Sequence, residues 1–534
     1  MTELTIDQAL QKAVSAHKAG KISTADRLYT SILRVQPKHP DANHNMGVLA
    51  VGLGKLDAAL PFFKTALEAN FNLAQFWYSY IDCFMRLKRF SEAKTLLIQA
   101  KEKGAKGDAF DKVEQKLGSL EISFQSEILR LKELTAQGKF KKVINISSSL
   151  VKSYPDAVDP HIFCGSANHA LKNYGLAIES YHRILKLKPD FAEAHNNIGT
   201  ALKEQGEFDA AIESYKRALK IKPDFADAHH NMSVELLRDH QFEQGFKQKE
   251  WQWKTKQSIG TPLISSKPVW FGEGNKTVFV WAEQGIGDEI MFASLIPELH
   301  SVSSKLIVQC DKRLIPLFQR SFPKDITYQS DRSLVAEDSY DFHTSIGSLA
   351  RIFRPSIESF SHTKDGYLSH DSIKTDQLRQ KLLMGGAKTL IGISWKTASP
   401  LTKSHERNIV LSDLAQVLNS SETQLVCLQY GEVSEEIDAL KAEFGIDVIQ
   451  VPEVDNRNDI DGLASLIMAC DRVVSTTNVT VHLAGALGTD GRVLLPFSAI
   501  WIWGRDQSRS SWYGSVTAYR QKVPGDWGKV LPLL

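Results

Sequence analysis

The chain has 534 residues, with 64 Lys and Arg against 62 Asp and Glu and a formal net charge of +2. That length exceeds what a single hydrophobic core organises, so several domains are expected. The charge balance argues against broad electrostatic contact with nucleic acid, and the five scattered cysteines (Cys83, Cys164, Cys310, Cys427, Cys470), with no CxxC pair, argue against a disulfide framework or a cysteine zinc site.

The opening MTELTIDQAL is acidic and polar, and no apolar run reaches spanning length. The expectation is a soluble cytoplasmic chain without a signal peptide. From about residue 6, similar units recur. Gly165, Tyr174, Ala177, Tyr181 and Pro189 return as Gly199, Phe208, Ala211, Tyr215 and Pro223, each shifted by 34. Upstream, Gly20, Ala25, Tyr29 and Pro37 match Gly54, Ala59, Phe63 and Phe71. Phe90, Ala93 and Ala100 fit a further unit, as do Gly138, Phe140, Val143 and Pro155. Small residues let paired helices approach, and large apolar residues fill the layers between units. These residues resemble the tetratricopeptide repeat. The resemblance implies about six helix pairs plus a capping unit over residues 1–256, stacked as a superhelix with a concave groove. Between Ala105 and Gln125 the register breaks, which predicts an additional or lengthened helix near 106–124. Phe242, Trp251 and Trp253 are expected to cap the array against the next domain.

Asn45, Asn197 and Asn231 share one position on the first helix of their repeats. In the O-GlcNAc transferases, asparagines on a similar array hold a peptide backbone, because an amide both donates and accepts. A solvated face is the other reading. A protein or peptide acceptor in the groove is the partner this pattern suggests.

A linker, 257–268, carries the Pro and Ser of Thr261–Pro268. Beyond it, short apolar strands alternate with helices, the pattern of parallel sheets. Strands are predicted at Lys276–Ala282, Lys305–Gln309, Ile326–Gln329 and Tyr340–Thr344, with a helix at Glu289–Leu299. After a helix at Asp376–Leu383 a second series opens at Leu390–Trp395 and continues at Gln424–Gln429 and Asp447–Val451. It then reaches Asp471–Gly488, DRVVSTTNVTVHLAGALG, where Val473 and Val474 end a strand, Ser475–Asn478 form a polar turn, and a helix follows from His482. A turn of this kind at a helix start exposes backbone N–H groups that suit an anion. It equally suits an ordinary helix capped by Thr or Asn.

The run from Trp281 to Ser294 (WAEQGIGDEIMFAS), Lys388–Thr397, Arg407, Leu428–Gly431, Asp461, the VHLAGALG element and the tail from Trp501 together resemble glycosyltransferase family 9, the heptosyltransferase-like enzymes. The resemblance spans about residues 265–534. It implies an α/β GT-B-type domain of two Rossmann-like lobes, an N-lobe over 269–384 and a C-lobe over 385–534. It also implies a metal-independent, inverting transfer from a nucleotide-sugar co-substrate, with no further cofactor. Such chemistry needs a base for the acceptor hydroxyl, positive groups for the leaving diphosphate and a cleft that excludes water.

Asp288 matches the family's proposed base, while Asp after Gly at a helix start is also a good N-cap. Glu283 is the alternative base. Glu283, Gln284, Gly285 and Gly287 form the acceptor-side turn. Lys396 and Arg407 are candidates for phosphate, or solvated loop charges. Gln429 and Tyr430 sit at a strand end, where a nucleotide base would lie. Thr477, Asn478 and His482 are candidates for phosphate or sugar. The family often has Asp-Thr where this chain has Thr477-Asn478, a departure bearing on sugar choice or activity. Asp459-Ile-Asp461 is a formal DxD, and Asp461 reads as the N-cap of an apolar helix at Gly462–Cys470. Trp501, Trp503, Trp512 and Tyr513 either line a sugar edge or pack the tail back. The function expected is sugar transfer to a protein or peptide hydroxyl. The alternatives are an inactive scaffold or nucleotide-sugar-binding protein, and a lipopolysaccharide-type carbohydrate transferase.

Overall fold

The computed structural model describes residues 4–255, 260–283, 285–363, 366–384, 386, 389–397 and 404–534. It divides into two compact units, Met1–Ala201 and Leu202–Leu534.

The first unit is all helical. Its pairs are Ile6–Lys18 with Ile22–Val35, Pro40–Gly52 with Leu56–Ala69, Ala74–Arg86 with Phe90–Glu102, Asp108–Ala136 with Phe140–Ser153, and Val158–Ala170 with Tyr174–Leu187; Ala192–Glu204 begins the next. The small residues at the crossings are there for space. A Cβ on Gly47 would lie 2.7 Å from the Phe63 ring, and one on Gly165 would lie 2.5 Å from Tyr181. The turn inside each pair is left-handed, at Gly20, Gly54, Lys88, Gly138 and Lys172, with φ between 60° and 73°. A lysine tolerates this conformation less well than glycine, so the stacked helices must hold Lys88 and Lys172 there. Successive turns are 34 apart except from Lys88 to Gly138. The intervening helix Asp108–Ala136 runs 29 residues, so the register break is a lengthened helix, not an additional one.

The second unit opens with helices Phe208–Ile221, Ala226–Arg238 and Phe242–Lys249 and a 3-10 turn, Glu250–Lys254. The repeat boundary expected at 256 therefore differs from the compact division at 201. The reason is burial: Leu237, Phe242 and Phe246 share one apolar core with Trp270, Val278 and Val280. Arg238 also donates to the Ala499 carbonyl at 2.9 Å.

Four parallel strands follow: β1 (Thr277–Trp281), β2 (Lys305–Gln309), β3 (Thr327–Gln329) and β4 (Phe342–Ser345), in the order β3-β2-β1-β4. Val278, Phe279 and Val280 are all buried, because a parallel strand is covered on both faces and reads as a continuous apolar run. The helix expected over Glu289–Leu299 is instead two, Ile286–Phe292 and Ile296–Val302, joined by a 3-10 turn. Pro297 lies in the first turn of the second one and lacks the N–H that a continuous helix requires.

The second sheet has β5 (Thr389–Ser394), β6 (Thr423–Cys427), β7 (Val448–Ile449), β8 (Arg472–Thr476), β9 (Gly491–Leu495) and β10 (Val516–Arg520), all parallel, in the order β10-β9-β8-β5-β6-β7. The chain winds outward one way from β5 and then, from β8, the other way. The boundary between β5 and β8 is thus a topological switch point, the place where open α/β sheets bind ligands. β8 extends to Thr476, so Ser475 and Thr476 belong to the strand, not to the turn that follows. Asp461 does not cap the helix Ile460–Ala469. Asp459 does, accepting from the Gly462 N–H at 2.7 Å, while Asp461 holds both guanidinium nitrogens of Arg320, at 2.8 Å for Nη2.

Candidate functional site

Two strand-end turns meet in the second unit. The turn after β1 leads through Glu283, Gly285 and Gly287 into the helix Ile286–Phe292. The turn after β8 leads through Thr477 and Asn478 into the helix Val479–Leu487. A Cβ on Gly287 would lie 3.1 Å from Cδ2 and 3.5 Å from Nε2 of His482. That glycine is needed for close approach, not for backbone conformation.

Gly285 is the N-cap of its helix, so Asp288 is the third helical residue and not the cap. Its carboxylate nonetheless reaches back to the Gly285 N–H, the return arm of a capping box. Asp288 is half-buried. Desolvation pushes its pKa up to about 6, with Glu283 adding and Lys249 opposing. The neighbouring Glu289 is buried and pushed up to about 7, again mainly by desolvation.

Glu283 is not placed as a base. It is buried in an ion pair with Lys249 at 3.0 Å. A Cβ on Gly347, just after β4, would fall 2.1 Å from its carboxylate. Gln284 lies outside the described residues.

The C-terminal edge of β5, β6 and β8 is tied together by side chains. The Gln429 carbonyl oxygen accepts from the Ser394 hydroxyl at 3.0 Å and from the backbone N–H groups of Trp395 and Lys396 at 2.9 Å. Asn478 caps the helix through the Thr480 N–H at 3.0 Å. Its amide donates to the Ser394 hydroxyl at 2.7 Å and to the Lys396 carbonyl at 3.3 Å. Both side chains are buried. The sequence offered them to a nucleotide base and to phosphate or sugar; the fold uses their polar atoms to join strand ends across the switch point.

Lys396 pairs with Glu436 at 2.6 Å, each about one-third exposed. Arg407 donates to the Thr477 carbonyl at 3.0 Å and to its hydroxyl at 3.2 Å. Burial lowers the Arg407 pKa. The Tyr430 hydroxyl is 3.4 Å from that of Thr397. His482 is buried, with Nδ1 2.8 Å from the Tyr513 hydroxyl; burial, then Arg407, lower its pKa to about 4. Asp288, Gly287, His482, Arg407 and Thr477 are therefore brought into one neighbourhood, ordered through shared contacts.

The groove asparagines fall in different units. Asn45 and Asn197 are half-buried on helices Pro40–Gly52 and Ala192–Glu204 of the first; Asn231 is half-buried on Ala226–Arg238 of the second. Trp503, Trp512 and Tyr513 are buried, and Trp512 packs edge-on against Phe292 at 5.4 Å. Sequence reasoning missed Lys249, Glu436, Ser394 and Tyr367. Nothing local distinguishes them, since their partners lie far along the chain.

Tetratricopeptide repeat families match residues 10–73, 50–117, 165–206 and 192–225. The N-terminal helices are tetratricopeptide repeats. Repeats of this kind form protein-interaction scaffolds, typically for peptides. Protein FlbA of Caulobacter vibrioides is 29% identical over 302 residues, which cover 52% of this chain and 50% of that protein. The chain thus spans about half the length of this curated relative. Among solved structures, the chain is similar to the P58(IPK) tetratricopeptide domain, with 16% identity over 47% of this chain and 74% of that one and a TM-score of 0.28. It is also similar to the TPR2AB domain of yeast Sti1 in complex with pHSP90, with 14% identity over 42% and 93% and a TM-score of 0.21. Among the described residues, no helix is long and apolar enough to cross a membrane.

Proposed function

We propose that the second unit is a GT-B-type glycosyltransferase acting on a hydroxyl of a protein or peptide selected by the repeats. The observation that carries this reading is the contact of the two strand-end turns. The turn bearing Asp288 lies against His482 of the helix that begins at the second sheet's switch point. In this reading Asp288 removes the acceptor hydroxyl proton, the oxygen attacks the anomeric carbon, and the bond to the diphosphate breaks with inversion. A pKa of about 6 leaves Asp288 mostly ionised at neutral pH yet more basic than an ordinary carboxylate, as a general base should be. Arg407 and the N–H groups at the start of Val479–Leu487 meet the charge of the leaving diphosphate. Lys396 joins them by exchanging Glu436, at little cost because a pair this exposed is worth about 0–1 kcal/mol.

The test is a thermal-shift panel of nucleoside diphosphates and nucleotide-sugars, followed by transfer assays. A ligand that binds only the folded state raises Tm. Asp288→Ala should keep the shift and lose transfer by about 10²–10⁴-fold. No shift with any nucleotide sinks the reading.

A second reading has its own support. The hydrogen bonds that close Gln429 and Asn478 on the protein itself favour a repeat scaffold whose α/β unit has no turnover. It predicts partner binding that survives Asp288→Ala and no transfer from any donor.

A further inference from the structure

The register break in the repeats leaves a cavity of about 320 Å³ within the first unit. Its walls are the first turn of the helix Phe90–Glu102, the middle of the lengthened helix Asp108–Ala136 and the loop before Val158–Ala170. Leu117, Leu120 and Glu121 line it from inside the register break, so a regular 34-residue array has no counterpart. Tyr154 forms the floor. Its ring lies 5.4 Å from that of Phe90 and 4.7 Å from that of Phe124, and its hydroxyl is occupied by the Leu120 carbonyl at 3.2 Å. Phe90, Leu120, Phe124 and Tyr154 are only half-buried, which leaves apolar surface for a partner to cover. An apolar cavity of about 150 Å³ already takes a benzene ring, so this one has room for one aromatic side chain.

The polar atoms decide which side chain fits. Asp156 Oδ2 is buried and accepts no hydrogen bond among the described residues. Its neighbour Glu92 is a second carboxylate, held by Arg89 at 2.8 Å; after burial, Glu92 raises the Asp156 pKa. A third carboxylate is repelled there, and a group that donates is needed. A cation donates, but it would enter past two lysines. Lys94 is paired with Glu121 at 3.6 Å. Lys88 donates to the Lys152 carbonyl at 3.2 Å, and a carbonyl does not neutralise its charge. A neutral donor on an apolar body meets neither obstacle, and tyrosine and tryptophan have that combination.

We propose that this cavity docks a peptide segment of a partner protein through one tyrosine or tryptophan side chain, whose O–H or N–H donates to Asp156. The proposal does not depend on the reaction of the α/β unit.

The test uses the full chain with ¹³C-labelled leucine methyl groups, titrated with blocked Gly-X-Gly tripeptides in which X is Tyr, Trp, Phe, Leu or Arg. The Tyr or Trp peptide should shift the Leu117 and Leu120 methyl signals saturably and bind about tenfold tighter than the Phe peptide, as for one hydrogen bond to a charged group. Asp156→Ala should bring that peptide down to the Phe level. Lys88→Met should leave its affinity unchanged and strengthen the Arg peptide, and this variant serves if Asp156→Ala folds poorly by circular dichroism. A Phe peptide as tight as Tyr and Trp in the wild type would show that Asp156 reads nothing and would overturn the proposal. So would an Arg peptide that binds tightest, or Leu117 and Leu120 signals that no peptide moves. A wild-type dimer that Phe124→Ala converts to a monomer in sedimentation would make a second copy of this chain the occupant, and would overturn it too.

Discussion

Asp288 serves the helix start and, in the proposed reaction, the acceptor hydroxyl, and the same desolvation governs both. The unfolded carboxyl titrates near its ordinary value, and the folded one near 6. Between those values the folded state holds the proton more tightly, so stability falls as pH rises through that window and levels off above it. Asp288→Asn cannot ionise. Its Tm relative to wild type should therefore rise from pH 4.5 to pH 7.5, even though one arm of the capping box changes. A difference that stays flat or falls across this range would mean that the carboxylate is well solvated. Asp288 was legible in the sequence as a candidate. The alternative, an N-cap, came out one turn position away, because Gly285 occupies the cap and Asp288 reaches back to it. Glu283 was read as a second base from its type and place. Only the fold brings Lys249, 34 residues earlier, close enough to neutralise it.

At the level of elements, Asn478 is the latch of the switch point. The sequence marked Thr477-Asn478 as a departure from the Asp-Thr that the resembled family often has. The contacts give the reason for an amide: its N–H₂ donates to the Ser394 hydroxyl and the Lys396 carbonyl while its oxygen caps the helix. A carboxylate could cap but could not donate. Asn478→Asp should cost about 1–3 kcal/mol through an unsatisfied buried carbonyl and a buried charge, read as a lower denaturation midpoint at pH 8. A midpoint equal to wild type would mean that the β5 and β8 ends are not held through this side chain. The strands themselves were legible because parallel strands covered on both faces are apolar throughout. β9 and β10 were not, since Gly491–Leu495 and Val516–Arg520 sit among tail residues whose aromatics dominate the pattern. In the repeats, the left-handed turns fall where the period demands, including at Lys88, Lys172 and His240. The stack imposes the conformation where the sequence omits its usual glycine.

On the scale of the whole molecule, the cut that the repeat pattern suggests is not the cut that the core allows. A fragment of residues 257–534 loses Phe242 and Phe246 from the apolar core and strips Lys249 from the fully buried Glu283. Each buried Phe is worth about 3–5 kcal/mol, and an uncompensated buried charge costs a similar amount. That fragment should be insoluble or melt far below the full chain. Residues 202–534 keep these partners and should unfold cooperatively, by calorimetry, near the temperature of the same unit in the full chain. Equal stability of the two fragments would mean that the last repeat is only a spacer.

By itself the sequence determined the repeats, their register break and the alternation that makes two parallel sheets. These depend on local periodicity, which a chain displays wherever it folds. It also placed Asp288 and Thr477-Asn478 at strand-end turns, because a turn rich in glycine or hydroxyls after an apolar run is a local signal. Tertiary structure alone decided which polar groups are already used. Gln429, Asn478, Glu283 and Lys396 all find partners distant in sequence, and hydrogen-bond satisfaction in a buried site depends on the complete set of neighbours.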